Sequence, residues 1–314
     1  MGPDARLRLV AAAANLTIDA TPVRLPSDSN DVWKVDELVL RVCWRGDRGR
    51  LRREALVLEH LPDEVPHVTL VDAGVAGDLT WTLTRWVPGT MLSVAWAGLD
   101  RARRHRAGQQ LGDAFRALHA WEPSSVVRAA VAARPSQPDT FEVIGADLNP
   151  LPVDRALRLV APATQLENVD QESVVRLGEA VTRLRLVDPL TDPSAGVLVH
   201  GDATLDNVIW DGERLVALLD FEWSRLGPCD LELQPLLQYA DAGALVRSVV
   251  DSHPGIAAHP RVVERLWLYD LGATLRDLLV KAPLPATDDL PPWHPKTRLR
   301  AILGGSGYIE ALLG

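Results

Sequence analysis

The chain has 314 residues, 47% of them hydrophobic, and its 42 acidic and 33 basic side chains give a formal net charge of −9. This acidic balance argues against nucleic acid as the main partner, because recognition of a phosphate backbone requires a basic face. No segment approaches about eighteen uninterrupted apolar residues, so no membrane span is predicted. We therefore expect neither nucleic acid nor a membrane among the partners, and the length allows about two domains.

The first 86 residues predict a small, β-rich unit. A cluster of turn residues at 26–30 separates the first two strands, and Pro88-Gly89 stops the last one. The apolar positions after residue 50 recur at helical spacing, with Glu54 on the inward side. The predicted elements are a helix over 5–15, strands over 21–25, 32–35 and 38–44, a helix over 51–61, and strands over 70–75 and 79–86.

The remainder of the chain is predicted to be mainly helical. An amphipathic helix is expected over 101–121, where we interpret His119 as a packing or capping residue. The stretch 122–195 is rich in proline, with helices over 153–161 and 171–186, and further helices are expected near 230–250 and 260–280. Residues 282–295 are too rich in proline for a helix.

The segment 282–295 has two readings. It forms either a lid over a binding site or a surface loop before the last helix, and the loop is slightly favoured. In the lid, three side chains would face a polar ligand: Asp288, Asp289 and Trp293.

One stretch, VLVHGDATLDNVIWDGERLVALLDFEW, carries the chemistry. His200-Gly201-Asp202 is followed by Asn207 and, thirteen residues later, by Asp220-Phe221-Glu222. Phosphoryl transfer from a nucleoside triphosphate needs a carboxylate that orients the acceptor hydroxyl, and an amide and a second carboxylate that hold magnesium. Protein kinases use His-Arg-Asp, an Asn five residues later, and Asp-Phe-Gly. Here Gly201 replaces the Arg, and Glu222 replaces the last Gly.

This pattern, together with the run Gly227-Pro228-Cys229-Asp230-Leu231, resembles the aminoglycoside phosphotransferase family. The resemblance implies an α+β, bilobal, protein-kinase-like fold. Its small β-rich N-terminal lobe would comprise residues 1–86 and its large, mainly helical C-terminal lobe residues 87–314. The larger lobe would contain the catalytic loop at 200–207, the metal segment at 220–222 and a substrate-binding helical insertion at about 122–195.

The resemblance also implies roles for single residues. Asp202 would be the catalytic base, and His200 would belong to the catalytic set by bracing its loop. Asn207 and Asp220 would be the Mg²⁺ ligands. An Asp in the place of Asp230 would support the loop from the following helix, while Glu222 has no kinase role assigned.

Nucleotide binding is expected in the cleft between the lobes. Arg41 stands where kinases have a strand Lys, and it would pair with Glu54 and contact the phosphates; a surface Arg on an edge strand is the alternative. In the Gly-free turn, Ser29 and Asn30 would offer donors to a phosphate, although a plain hairpin turn is equally consistent. The hinge would read the purine through its backbone, with Arg85, Trp86 and Val87.

The predicted reaction moves the γ-phosphoryl group of ATP or GTP to a hydroxyl of a small molecule, with Mg²⁺. The expected acceptor is an antibiotic, an aminoglycoside or another sugar- or nucleoside-containing compound, so that the protein confers resistance. The alternatives are a metabolite kinase of choline, homoserine or sugar type, and a non-catalytic nucleotide-binding relative. With only Cys43 and Cys229 available, we expect reduced thiols and a cytoplasmic monomer or homodimer.

Other site classes are disfavoured. There is no Gly-x-x-x-x-Gly-Lys-Ser/Thr and no Gly-x-Ser-x-Gly motif, which removes the P-loop and α/β-hydrolase classes. A glycosidase pair of Asp202 and Asp220 would leave Asn207 without a role. A zinc site is not expected, because three histidines in proline-flanked loops lack ligand spacing: His253, His259 and His294.

Overall fold

The computed structural model describes residues 1–18, 21–27, 29–132, 153–188, 195–239 and 242–304. Its N-terminal part is a five-stranded antiparallel sheet with strand order β1-β2-β3-β5-β4. The elements are α1 (Pro3–Ala13), β1 (Val23–Leu25), β2 (Asp31–Val35), β3 (Leu38–Cys43), α2 (Arg50–His60), β4 (Leu70–Ala76) and β5 (Leu79–Arg85).

The two faces of the sheet have different roles, because side chains alternate along each strand. One face carries apolar residues, including Leu40 and Leu83, which pack with Leu7 and Val10 of α1. Arg41 points to the other face, where it lies in register with Thr82 of β5. The alternation of β3 therefore places one arginine on the side of the sheet that contacts α2.

The rest of the chain is mainly helical, with short strands. The elements are β6 (Thr90–Met91), α3 (Leu92–Trp96), α4 (Arg101–Ala120), α5 (Ser125–Ala132), α6 (Val153–Arg158), α7 (Val160–Ala163), α8 (Gln171–Arg183), β7 (Val197–Val199), β8 (Val208–Trp210), β9 (Leu215–Leu218), β10 (Arg225–Gly227), α9 (Ala242–Ser252), α10 (Val262–Val280) and α11 (Pro295–Leu303). Within the described residues, no helix is both long and apolar enough to cross a bilayer.

Two small sheets carry the sequence motif. β6, β8 and β9 form one antiparallel sheet, and β7 pairs with β10. The segment 200–207 follows β7 and the segment 220–222 follows β9, so both turns emerge beside the five-stranded sheet. Of the helical insertion predicted over 122–195, the structure describes α5 to α8; residues 133–152 and 189–194 lie outside the described part.

The helix expected near 230–250 is not continuous. The chain forms a 3-10 helix over Cys229–Gln238, which contains Pro235, and α9 begins only at Ala242. Proline has no N–H to donate and its ring clashes with the preceding turn of an α-helix. Pro235 therefore accounts for the short, tight helix in this place.

The longest helix of the second part, α4, packs closely on α9. A Cβ atom added to Gly112 would lie 2.5 Å from the backbone oxygen of Val249, and one added to Gly108 would lie 2.5 Å from Cβ of Ser248. Real carbon–oxygen contacts are not that short, so the two helices reach their present distance only because both positions are glycine.

We predict that Gly112→Ala destabilises the protein. The clash with Val249 forces α4 and α9 apart, at a cost of about 1–3 kcal/mol for overpacking, which exceeds the roughly 1 kcal/mol that Ala gains over Gly in a helix. Urea denaturation should show a lower free energy of unfolding. Gly98→Ala is the control, since its Cβ would meet nothing closer than 3.6 Å; equal stabilities for the two variants would contradict the account.

Candidate active site

The loop after β7 needs a glycine between His200 and Asp202. Gly201 has a φ of 82°, a conformation that side chains with a Cβ rarely adopt. A Cβ there would also lie 2.5 Å from the backbone oxygen of Trp223. The replacement of the kinase Arg by Gly201 therefore follows from the close packing of the catalytic loop against the metal segment.

His200 lies behind this loop and braces it. Its ring is fully buried and 4.5 Å from the ring of Phe221, measured between centroids. The Nε2 atom is 2.7 Å from the backbone oxygen of Leu219, and Nδ1 is 3.3 Å from the backbone nitrogen of Asp202. Burial lowers the pKa of His200, and a neutral ring that donates from Nε2 and accepts at Nδ1 satisfies both contacts.

Asp202 and Asn207 form one hydrogen-bonded unit. The Nδ2 atom of Asn207 donates to the backbone oxygen of Asp202 at 2.8 Å and to its Oδ2 at 3.2 Å. Burial, together with the nearby Asp220, raises the pKa of Asp202 to about 8 against the lowering effect of Arg276. The amide thus fixes the carboxylate and leaves its own Oδ1 without a partner among the described residues.

Arg41 is held by three carboxylates, one from α2 and two from the metal segment. Its Nη1 donates to both oxygens of Glu54, at 2.6 Å for Oε2. Its Nη2 donates to Oδ1 of Asp220 at 2.7 Å and to Oε2 of Glu222 at 3.1 Å. Burial opposes the charge on Arg41, but these carboxylates outweigh it and hold the pKa of Arg41 above its ordinary value. The expected pairing of Arg41 with Glu54 is present, and a surface position for Arg41 is excluded.

Asp220 reaches this position through an unusual backbone conformation. Its φ of 64° and ψ of 59° lie in the left-handed region, where Asp and Asn are enriched among residues with a Cβ. The next backbone nitrogen, that of Phe221, donates to Oε1 of Glu54 at 3.1 Å. Glu54 therefore holds the metal segment in two ways: it accepts from the backbone of Phe221, and it binds Arg41, which in turn binds Asp220.

Glu222, which had no kinase role assigned, joins the metal segment to the turn before β2. It is 2% exposed, and it accepts from Nδ2 of Asn30 at 2.9 Å and from Oγ of Ser29 at 3.3 Å. Arg50 forms an ion pair with it at 3.2 Å and donates to Oδ1 of Asn30 at 2.9 Å. The side chain of Asn30 is therefore hydrogen-bonded to Glu222 and Arg50, and it does not line the cavity in which a phosphate contact was predicted for it. Ser29 does line this cavity, which is described below.

The cluster contains more acidic than basic groups. Four carboxyl groups, those of Asp202 and of the three residues around Arg41, lie near the two guanidinium groups of Arg41 and Arg50. Burial and these like charges raise the pKa of Glu54 to about 7 and also raise that of Glu222. One oxygen each of Glu54, Asp220 and Glu222 lies within 4.8 Å of the others. Arg41 pairs with all three of these carboxylates. Asp220 and Asn207, which both line the cavity, offer the carboxylate and amide oxygens that a hard divalent cation such as Mg²⁺ prefers.

Support of the catalytic loop comes from Glu232, and the role expected for Asp230 is wrong. Glu232 is fully buried, and it accepts from the backbone nitrogens of His200 and Gly201. Its Oε1 also lies 3.7 Å from Nε2 of His119. These donors hold the pKa of Glu232 below its ordinary value, although burial alone would raise it.

Asp230 contacts α10 instead of the loop. It forms an ion pair with Nε of Arg265 at 2.9 Å and accepts from the hydroxyl of Tyr269 at 2.9 Å. The 3-10 geometry of Cys229–Gln238 turns Asp230 and Glu232 to different neighbours. No periodicity of the sequence distinguishes these two acids. The family resemblance pointed to Asp230, whereas the structure places Glu232 against the catalytic loop.

A cavity of about 870 Å³ brings the two halves of the site together, a size typical of small-molecule sites. The predicted hinge residues line it. Trp86 donates its backbone N–H to Glu37 at 2.8 Å, and its ring lies 4.2 Å below Nζ of Lys34. The predicted residues that line the cavity are Ser29, Arg41, Glu54, Arg85, Trp86, Val87, Asp202, Asn207 and Asp220.

The segment 282–295 packs on α11 and does not line this cavity. Nζ of Lys296 donates to the backbone oxygens of Pro285 and Thr287, at 2.9 and 3.2 Å, and Lys296 pairs with Asp288 at 3.4 Å. The ring of Trp293 lies 4.2 Å from Nζ of Lys281. These contacts support the surface loop, which the sequence favoured over a lid.

The chain also matches a known protein family and known structures. A family model described as a phosphotransferase enzyme family matches residues 22–262. The chain is similar to a streptomycin–ATP ternary complex of APH(2")-IIa, with 17% identity, a TM-score of 0.62, and coverage of 97% of this chain and 95% of that one. No curated protein matches it.

Two further solved structures are similar. One is a thermostable mutant of aminoglycoside phosphotransferase APH(4)-Ia with ADP and hygromycin B, with 15% identity, a TM-score of 0.61 and 98% coverage of both chains. The other is a choline/ethanolamine kinase family protein from Mesorhizobium loti, with 20% identity, a TM-score of 0.64 and 99% coverage of both chains. The predicted bilobal, kinase-like α+β fold is thereby confirmed.

We predict that Arg41→Lys weakens the cluster although it retains the charge. A compact ammonium group cannot donate to Glu54 and Asp220 through a fixed fork, so charged hydrogen bonds worth about 1–3 kcal/mol are lost. The free energy of unfolding from urea denaturation should fall by that amount. The matched control, Arg48→Lys, changes an exposed pair with Asp78 and should have little effect. An Arg41→Lys protein as stable as the parent would show that the forked contact is dispensable.

Proposed function

The chain belongs to the phosphotransferase enzyme family, and from this we propose that it transfers the γ-phosphoryl group of ATP or GTP to a hydroxyl group of a small molecule. One observation carries the proposal. Asp202, Asn207 and Asp220 converge on a single cavity that also reaches the hinge after β5. That arrangement supplies both requirements of phosphoryl transfer, an oriented acceptor and a place for the charge of the phosphates.

In this proposal Asp202 orients the acceptor hydroxyl and accepts its proton. The hydrogen bonds from Asn207 hold the carboxylate in place for this proton transfer. Asn207 and Asp220 would hold Mg²⁺, which, when bound, neutralises negative charge on the phosphates. Arg41, held between Glu54 and Asp220, contributes a fixed positive charge to the same half of the cavity.

Two classes of acceptor are proposed. The first is an antibiotic that contains a sugar or nucleoside, so that phosphorylation confers resistance; the similarity to the streptomycin and hygromycin B complexes supports it. The second is a metabolite, and the similarity to the choline/ethanolamine kinase family protein supports it equally. Cys43 and Cys229 are not joined in a disulfide, which agrees with a cytoplasmic location for either reaction.

The test is a mass-spectrometric screen for phosphoryl addition to a mixed library of antibiotics and hydroxylated metabolites. ATP and GTP are supplied separately with Mg²⁺, and Asp202→Asn is assayed beside the parent. We expect Asp202→Asn to retain nucleotide binding and to lose turnover by about two to four orders of magnitude, the usual effect of removing a general base.

The screen separates the alternatives. A phosphorylated antibiotic formed only by the parent would support a resistance kinase, and a phosphorylated metabolite would support metabolism. Turnover by Asp202→Asn equal to that of the parent would refute the role of Asp202. Nucleotide binding without any product would favour the non-catalytic relative.

A further inference from the structure

The cavity has a second side, formed by α10. Arg276, Asp277 and Val280 line the same cavity as Asp202, although no motif of the sequence drew attention to them. The other arginines that line the described cavity all precede the end of β5, on the nucleotide side: Arg41, Arg45, Arg50 and Arg85. Among the described residues that line the cavity, Arg276 is therefore the one basic side chain from the helical part of the chain.

Asp277 fixes the guanidinium group of Arg276 without using all its donors. Nε of Arg276 donates to Oδ1 of Asp277 at 2.9 Å, and Nη2 lies 2.8 Å from the same oxygen. Nη1 has no hydrogen-bond partner within the described parts of the chain. The side chain is 24% exposed, so a held, partly open guanidinium faces the cavity.

Arg276 and Asp202 line the same cavity from different segments. Asp202 lies on the loop after β7, and Arg276 lies on α10. The two charges interact, since Asp277 and Asp202 both raise the pKa of Arg276 against the effect of burial. A group of the acceptor that contacts Arg276 would therefore lie near Asp202.

We infer that Arg276 binds a carboxylate that the acceptor carries near its reactive hydroxyl. The inference rests on the proposed phosphotransferase function, whose acceptor it specifies. A guanidinium fork matches the two oxygens of such a group, and the contact with Asp277 removes part of the ordering cost because the fork is already oriented.

The test compares acids with their neutral counterparts. A library of hydroxycarboxylic acids, each paired with its primary amide, is titrated by calorimetry into the protein loaded with Mg²⁺ and a non-hydrolysable ATP analogue. We expect at least one acid to bind about tenfold or more tightly than its amide, the effect of one charged hydrogen-bonded pair. Arg276→Gln should abolish this difference, and Arg276→Lys should retain part of it.

Two controls establish that the effect is local. Arg261→Gln removes an exposed arginine that pairs with Glu264 at the start of the same helix, and it should leave the preference for acids unchanged. Binding of the ATP analogue should be the same in all variants, which excludes a general loss of folding.

Three outcomes overturn the inference: acids and amides bind alike, no acid binds in an Arg276-dependent way, or Arg276→Gln weakens both members of each pair equally. The last outcome would mean that Arg276 only tunes Asp202. Failure of the proposed function is seen separately. An acid that binds through Arg276 but is never phosphorylated would contradict phosphoryl transfer while supporting the anion site.

Discussion

The guanidinium group of Arg41 is the interaction on which the rest of the site depends. Its side chain is only 13% exposed, and a charge removed from water to this extent is tolerated only when it is paired and hydrogen-bonded. Its partners come from α2, through Glu54, and from the metal segment, through Asp220 and Glu222. None of these segments can shift alone without leaving a charge unpaired. The strand, the helix and the metal segment are therefore fixed to one another by a single side chain.

Glu222 extends this coupling to the turn before β2. Protein kinases have a glycine at the equivalent position of their motif, and a glycine offers no group that could reach another segment. In this chain the carboxylate is bonded to Ser29 and Asn30, residues more than 190 positions earlier. The turn lacks glycine, so these side chains supply the fixation. Replacement of glycine by Glu222 and the absence of glycine from the turn are thus two parts of one arrangement.

The parts of the site that the sequence predicted are those with fixed local spacing. Asp202 and Asn207 lie five residues apart on one loop, and the position of Arg41 in its strand, matched to that of the kinase Lys, predicted its pairing with Glu54. In contrast, the partner of Asn30 is distant in the sequence, so its contact with Glu222 had no local signal. The fold class likewise followed from the family resemblance that the motif carries, whereas the break in the helix expected near 230–250 required the effect of Pro235 to be weighed.

The choice between Asp230 and Glu232 shows a second limit. Both acids precede leucines in one short segment, and both are buried. Their partners depend on how the 3-10 helix is rotated, and that rotation is set by packing against α10 and the catalytic loop. The same limit applies to Arg276. Its place in the sequence fits an ordinary helix, and only the position of α10 beside the cavity brings it to the site. Acceptor chemistry is therefore determined by tertiary contacts, whereas the phosphoryl-transfer motif is determined by spacing.

In the proposed function, Asp220 is the metal-binding carboxylate of a nucleotide site built around Arg41. The most direct measurement is calorimetric titration of ATP with and without MgCl₂ into the parent, Asp220→Ala and the surface control Asp78→Ala. Mg²⁺ should tighten ATP binding by the parent and by Asp78→Ala by about tenfold or more, the effect of one to two charged contacts. In Asp220→Ala it should have no such effect. Equal tightening in Asp220→Ala would contradict the account.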